Sequence, residues 1–203
     1  MTGVRHIGVI VVLCELAACG STPVEDHYYS LVLAADDNAT TSITDSASAQ
    51  LVVGPVELPD FLGQRGITIQ TGSSQVRMAN HHFWAEPLEE AIAKVLVMDI
   101  ARSTSGVTVD RDAGRWTGSG DCRVRIEFDK FHATGDSRAV ASGRYWVSSG
   151  AEIARQEFAV TRTLSADGYA HAVAALRESL GTVAERISDT IDDNSLCSTA
   201  SAD

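Results

Sequence analysis

The segment from His81 to Glu90, HHFWAEPLEE, holds the side chains with the clearest potential for chemistry. His82 and Glu86 are four residues apart, so on a helix both would lie on one face and could bind a metal ion. Pro87 suits the first turn of a helix, however, and places the helix start near Glu86, after His82. A zinc site also needs three or four ligands, and the sequence marks no third one. We therefore predict no metal site and interpret the histidine pair as surface residues.

Other motifs for catalysis or cofactor binding are not found in the sequence. It contains no phosphate-binding loop, dinucleotide-binding fingerprint or nucleophile elbow. His171 lies between apolar positions of the last predicted helix, where it fits a boundary residue of the core better than a catalytic base. We therefore expect that the protein is not an enzyme and uses no cofactor.

The first residues of the chain have the organisation of a secretory signal peptide. A basic start precedes an apolar run from Ile7 to Leu13, which is too short to span a bilayer because a spanning helix needs about 20 residues. The sequence LAAC that ends at Cys19 resembles the bacterial lipoprotein box, in which the cysteine thiol is acylated and becomes the new N-terminus. We predict a signal peptide over residues 1–18 and a lipidated tether over residues 19–27.

The residue after Cys19 bears on the membrane that holds the anchor. Gly20 stands where lipoproteins retained at the inner membrane have aspartate, which resembles the outer-membrane class, facing the periplasm. An acyl chain anchors a protein to a membrane without crossing it.

The charge of the chain limits its partners. Over 203 residues there are 16 basic and 27 acidic side chains, for a net charge of −11. This balance argues against nucleic acid as a ligand and against broad electrostatic docking on anionic lipid. The length favours one domain with attached ends.

Two cysteines, Cys122 and Cys197, remain after Cys14 leaves with the signal and Cys19 takes the lipid. In an oxidising compartment an even pair can form a disulfide, which would tie a central strand to the C-terminal tail. A bridge of this span would contribute about 4 kcal/mol in the chain-entropy model. The alternative is two unpaired thiols, one buried and one on a loose tail.

The elements that position these residues follow from hydrophobic periodicity. Apolar and polar residues alternate in three successive segments joined by short turns, which predicts an antiparallel meander of strands: Cys122–Phe128, Ala139–Val147 and Ala154–Leu164. Helical spacing predicts one amphipathic helix after Pro87 and a second, stronger one from Tyr169 to Ile191. Shorter strands precede the first helix, and Pro55 is expected to end one of them or keep it at a sheet edge.

Two amphipathic helices need one sheet face to cover. The predicted fold is therefore α+β, with two layers: a mostly antiparallel sheet and two helices packed on one of its faces. We expect the domain to span residues 28–192 and a flexible tail to follow over residues 193–203.

Several segments together carry a resemblance to a known family. They are the lipoprotein box, Tyr29-Ser30-Leu31, the segment GPVELPDFL over residues 54–62, WAEPL over residues 84–88, and a final helix from Gly168-Tyr169. In this order and spacing the chain resembles the ABC-type transport auxiliary lipoproteins, the paraquat-inducible protein C-like family, over nearly its whole mature length.

The resemblance implies a function without chemistry of its own. Such lipoproteins sit on the periplasmic face of the outer membrane and work with an MCE-domain protein and an ABC permease and ATPase, which move lipid between the two membranes. The lipoprotein docks the MCE component, and a homo-oligomeric ring of copies is a further expectation. A structural or assembly lipoprotein of another cell-envelope complex is the alternative.

Six apolar residues are candidates for the docking surface, because they stand in a turn or before a helix, where a lone domain gains little from them. They are Pro55, Leu58, Pro59, Phe61, Leu62 and Trp84. Tryptophan is also enriched at contact hot spots. The alternative is that these side chains cap the core, with Trp84 acting as a hydrophobic staple under the first helix.

Overall fold

The structure is a computed structural model that describes residues 24–34, 49–104, 106–112 and 122–197. The predicted signal peptide, Cys19 and the end of the predicted tail lie outside these residues. Neither of the two helices in the described part is long and apolar enough to cross a membrane.

Eight strands and two helices make up the described fold. In chain order they are β1 (His27–Tyr29), β2 (Ala49–Glu57), β3 (Gly66–Gly72), β4 (Gln75–Trp84), α1 (Leu88–Ser103), β5 (Val107–Arg111), β6 (Cys122–Thr134), β7 (Arg138–Ser149), β8 (Glu152–Thr163) and α2 (Tyr169–Asp193).

All eight strands belong to one mixed sheet in which β6 is central. One edge of β6 pairs with β7 along nearly its whole length, and β8 follows beyond β7. The other edge pairs first with β2 and then with β3. Strand β5 lies outside β2, and β4 and β1 lie outside β3. The α+β class is confirmed; the long meander ladders are antiparallel, whereas β1–β4, β2–β5, β2–β6 and β3–β6 are parallel.

The core lies between one face of this sheet and the two helices. Along β6 the side chains of Cys122, Val124, Ile126 and Phe128 are buried, while the residues between them are partly or fully exposed. Helix α1 packs on β2 and β5, α2 packs on β6, β7 and β8, and the helices also contact each other. The alternation thus selects the covered face, and burial of the apolar stripes stabilises both helices.

The helices meet at a buried ion pair. Arg177 of α2 donates two hydrogen bonds to the carboxylate of Asp99 in α1, each 2.7 Å long. Both side chains are about nine-tenths buried. Arg102 reaches the same carboxylate at 3.1 Å from the more exposed side. This bidentate geometry fixes how the helices sit against one another.

Pro55 lies in β2, which neither ends at this residue nor is the outermost strand of the sheet, although β5 pairs with β2 only as far as Val53. Strand β2 is flanked by β5 and β6, and it continues past Pro55 to Glu57. The register with β6 shifts between Val53 and Val56, which takes the proline nitrogen out of the ladder. A bulge is the usual way for proline to occupy an interior strand.

Strand β4 was not predicted, and it changes the setting of the histidine pair. His81, His82, Phe83 and Trp84 end this strand instead of preceding a helix as an irregular segment. Helix α1 begins at Leu88, shortly after the predicted start near Glu86, and Pro87 is its N-cap residue instead of a residue of the first turn. Glu89 and Glu90 lie in its first turn, where negative charge is favourable.

The C-terminal end of the described chain is packed against the core. Leu196 and Cys197 are buried although they follow α2, so the packed part extends beyond the predicted boundary at residue 192. The structure joins the sulfur atoms of Cys197 and Cys122, with a Cα–Cα distance of 5.1 Å. The presence of this disulfide in the purified protein stays a prediction, which a measurement of free thiols tests.

Candidate functional site

Residues that follow the GPVELPDFL segment meet the WAEPL segment at one groove. The turn between β2 and β3 lies beside the start of α1, and a groove of about 310 Å³ separates them. Residues 63–65 line one side of this groove and residues 84–88 the other. We refer to it as the turn–helix groove. The sequence analysis singled out Trp84 and the segment before residue 63, but it made no prediction for residues 63–65, and some twenty residues separate the two sides of the groove.

Trp84 forms the floor of the turn–helix groove and belongs to the core. Its exposed fraction is 6%, and it is part of the same buried cluster as Leu88. Its backbone N–H donates to the carbonyl oxygen of Arg65 at 2.9 Å, which ties the end of β4 to the turn. This burial favours the alternative in which Trp84 supports the first helix from below.

The five turn candidates divide by exposure. Leu62 is 2% exposed and in the core, whereas Leu58 is half-buried against it. Pro59 is half-buried and accepts a hydrogen bond from the backbone N–H of Leu62 at 2.8 Å, which closes the turn. Phe61, at 37%, and Pro55 are exposed. Phe61 is therefore the large apolar side chain that this turn exposes to solvent.

The rim of the turn–helix groove carries charge. Arg65 donates to the hydroxyl of Tyr28 at 3.0 Å, and its guanidinium lies over the rings of Tyr28 and Phe83 at 5.3 and 5.0 Å. On the helix side Lys94 forms an ion pair with Glu86. Apolar surface bordered by such polar groups is typical of protein contact sites.

A second feature of this end of the molecule is a cluster of rings that joins β1, β4 and α2. His82 stacks on Tyr169 with a centroid distance of 3.9 Å and on His27 at 5.0 Å. The hydroxyl of Tyr29 lies 2.9 Å from Nδ1 of His82. His81 is engaged elsewhere, with Nδ1 2.9 Å from Oδ1 of Asp26.

This ring cluster favours a neutral imidazole. Burial lowers the pKa of His82 below its ordinary value, and the nearby His27 and His81 lower it further. Burial also raises the pKa of the Tyr29 hydroxyl, with Tyr169 adding to the effect. The ring stacking and the hydrogen bond are thus compatible with an uncharged ring cluster that holds β1 against β4.

The ring cluster was missed by sequence reasoning. Its members come from three elements, and the pairing of β1 with β4 is parallel, so no local pattern aligns His27 with His82. In the described part of the chain, His82 and Glu86 do not belong to a common group of metal ligands. Among the described residues, no group of three or more histidine, cysteine or acidic side chains could hold a metal ion.

Comparison with known proteins supports the fold and the resemblance. Intermembrane transport lipoprotein PqiC of Escherichia coli (strain K12) is 25% identical over 83% of this chain and 87% of its own length, and the protein of that name from Shigella flexneri matches equally. A crystal structure of an uncharacterized protein superposes with a TM-score of 0.70 at 24% identity, covering 83% of this chain and 99% of the other. A Xanthomonas campestris crystal structure gives a TM-score of 0.59 at 18% identity, covering 74% of this chain and 90% of the other.

The family model described as ABC-type transport auxiliary lipoprotein component matches residues 29–188. This range includes β1 from Tyr29, the turn–helix groove and most of α2. The chain belongs to the family of ABC-type transport auxiliary lipoprotein components.

Proposed function

We propose that this protein is anchored through Cys19 to the outer membrane, faces the periplasm and serves as the docking component of an intermembrane lipid transport system with an MCE-domain protein and an ABC permease and ATPase. Family membership carries the proposal, together with the similarity to a lipoprotein named for intermembrane transport. The names of the matched relatives, which are transport lipoproteins, support a role in docking without catalysis.

The turn–helix groove is the docking surface that we propose. It is lined by residues 63–65, which directly follow the GPVELPDFL segment, and by residues 84–88 of the WAEPL helix start. The exposed Phe61 lies two residues before this lining and extends the proposed surface. Trp84 and Leu62 lie underneath and hold its shape. We assign direct contact to Phe61 and Pro55, which are exposed, and support to the buried residues.

A capture experiment tests this proposal. The lipidated protein, purified with its native membrane partners after mild cross-linking, should retain an MCE-domain protein identified by mass spectrometry. Phe61→Asp should reduce that capture strongly, because a charge replaces an apolar contact that is exposed before binding. Val76→Asp is the matched control, since Val76 is also exposed but lies on β4.

Two outcomes would change the conclusion. Capture of another envelope complex without any MCE-domain protein would support the alternative of an assembly lipoprotein. Equal capture by Phe61→Asp and Val76→Asp would move the docking surface away from the groove while leaving the transport role in place.

The anchor has its own test. Intact mass of the membrane-extracted protein should show acylation at a new N-terminus formed by Cys19, and Cys19→Ser should release the protein from membranes. A wild-type chain that retains residues 1–18 and carries no acyl group would exclude this mode of attachment.

A further inference from the structure

A second cavity lies at the side of the sheet where β1 pairs with β4. Its volume is about 380 Å³, and it is lined by residues 24, 25, 27, 77–82 and 169. The stacked rings of His27, His82 and Tyr169 form part of its wall. We refer to it as the anchor-side pocket, because Val24, which lines it, follows Cys19 by only five residues.

Two opposite charges line the anchor-side pocket without neutralising each other. Arg77 and Glu25 are both exposed. Among the described residues, neither side chain forms a hydrogen bond or an ion pair, although most other arginines of the same ranges are ion-paired. The pocket therefore offers a guanidinium and a carboxylate that are both available to a ligand.

A zwitterionic ligand would use both of these charges. A phosphate group accepts charge-assisted hydrogen bonds from a guanidinium, and a primary ammonium group donates them to a carboxylate. An anionic ligand without an ammonium group would bind Arg77 but would bring its negative charge near Glu25. The net charge of −11 on the whole chain disfavours such a ligand further. The charges of the pocket thus match a phosphate and an ammonium group carried by one molecule.

The apolar part of the lining fits a lipid better than a soluble phosphate compound. Val24 is 68% exposed and Met78 is 48% exposed, and both line the anchor-side pocket. Exposed apolar side chains gain free energy when they enter the boundary between headgroups and acyl chains. Tyr169 adds an aromatic ring with a polar end, a type of side chain that is enriched at membrane interfaces.

The proposed anchor keeps this pocket close to a membrane surface. An extended chain spans at most about 3.6 Å per residue, so the five residues from Cys19 to Val24 span at most about 18 Å. The acyl chains on Cys19 would thus hold the pocket where phospholipid headgroups are present at high effective concentration.

We propose that the anchor-side pocket binds the headgroup of a membrane phospholipid that carries both a phosphate and a primary ammonium group, as in phosphatidylethanolamine. Arg77 binds the phosphate, Glu25 binds the ammonium group, and Val24 and Met78 contact the adjoining acyl region. The inference rests on the Cys19 anchor of the proposed function and is independent of the docking partner, since the pocket shares no lining residue with the turn–helix groove.

Native mass spectrometry of the acylated protein, extracted from membranes into detergent, tests this site. Phosphatidylethanolamine, phosphatidylcholine and phosphatidylglycerol with identical acyl chains are titrated separately, and the fraction of protein that carries one added lipid gives each dissociation constant. Phosphatidylethanolamine should bind roughly tenfold more tightly than the other two. The trimethylammonium group of phosphatidylcholine has no N–H to donate to Glu25, and phosphatidylglycerol has no cation. Soluble phosphoethanolamine should compete only weakly, because it lacks the acyl chains.

Single variants test the two charges separately. Arg77→Gln and Glu25→Gln should each weaken the binding of phosphatidylethanolamine about tenfold, since each removes a charge-assisted hydrogen bond. In Glu25→Gln the preference over phosphatidylglycerol should also disappear. Arg186→Gln and Glu185→Gln are the matched controls and should bind as the wild type does. Both residues are exposed and lie on α2, about 25 Å along the helix from Tyr169.

Thermal unfolding of each variant shows that it is folded. Equal binding of the three lipids by the wild-type protein, or undiminished binding by folded Arg77→Gln and Glu25→Gln, would overturn the proposal. Competition by phosphoethanolamine as strong as that by the lipid would overturn the assignment to a membrane lipid. The same spectra report the mass of the protein. Acylated protein without selective lipid binding would refute this inference alone, whereas protein without an acyl group would refute the anchor of the proposed function.

Discussion

Replacement of Asp99 by alanine should strongly destabilise the protein, although Asp99 lies far from the proposed contact surface. Its carboxylate accepts two hydrogen bonds from Arg177, both 2.7 Å long, and the two side chains are only about one-tenth exposed. The substitution would leave the guanidinium of Arg177 buried between α1 and α2 without its counterion. Among the described residues, Nε of Arg177 has no hydrogen-bond partner, so few other groups would stabilise the charge.

The size of the effect follows from this burial. Removal of one partner of a buried pair costs about 3–5 kcal/mol, mainly because the other charge stays uncompensated. A domain of this size has a total stability of about 5–15 kcal/mol. The melting temperature should therefore fall by roughly 6–20 °C, at about 2–4 °C per kcal/mol.

Urea unfolding followed by circular dichroism measures this loss directly. Asp99→Ala should lower the midpoint without changing the slope, which marks a change in stability alone. Arg102→Ala is the matched control, because Arg102 binds the same carboxylate but its side chain is 38% exposed. Its removal should cost at most about 1 kcal/mol, as for surface pairs.

A compensating variant separates charge burial from packing. Asp99→Leu together with Arg177→Met removes both charges and keeps the volume, so it should recover most of the stability lost in Asp99→Ala. If Asp99→Ala were no less stable than Arg102→Ala, or if the apolar double variant were as unstable as Asp99→Ala, the assignment of the loss to an uncompensated buried charge would be refuted.

Three further predictions use the same unfolding assay. Cys122→Ser with Cys197→Ser should lose about 4 kcal/mol in the chain-entropy model; alkylation of both cysteines in unfolded wild-type protein without prior reduction would show that it has no such bridge. Because the pKa of His82 is lowered in the folded state, the contribution of His82 to the free energy of unfolding is complete above pH 6.5 and declines as the pH falls from 6.5 through the pKa of the folded state. His82→Gln should reduce this loss of stability in acid, and an unchanged dependence of stability on pH would contradict the prediction. Trp84→Ala should cost about 3–5 kcal/mol as a core truncation, whereas normal stability with lost partner capture would instead make Trp84 a contact residue.

Local patterns were sufficient for much of the architecture. The strict alternation along β6, β7 and β8 determined which of their residues face the helices, since successive side chains of a strand point to opposite sides. Pro87 and the following glutamates determined where α1 begins, because proline and negative charge both suit the first turn. The candidate lipidation at Cys19 and the family resemblance also depend on short contiguous segments.

Tertiary structure decided what no local pattern encodes. The sequence around Pro55 suggests an edge strand, but a bulge lets β2 sit between β5 and β6. The segment before Pro87 lacks a clear period, so β4 became evident only through its partners β1 and β3.

The candidate site shows the same division. The sequence identified Phe61 and Trp84 as unusual, but only burial separated the exposed side chain from the one beneath it. The facing of His27 and His82, the ion pair of Asp99 with Arg177 and the lining of the anchor-side pocket all depend on contacts between distant segments. The sequence by itself determined which faces of the strands and helices are apolar, and the tertiary structure determined which of them are covered, because coverage depends on how the chain returns to the sheet.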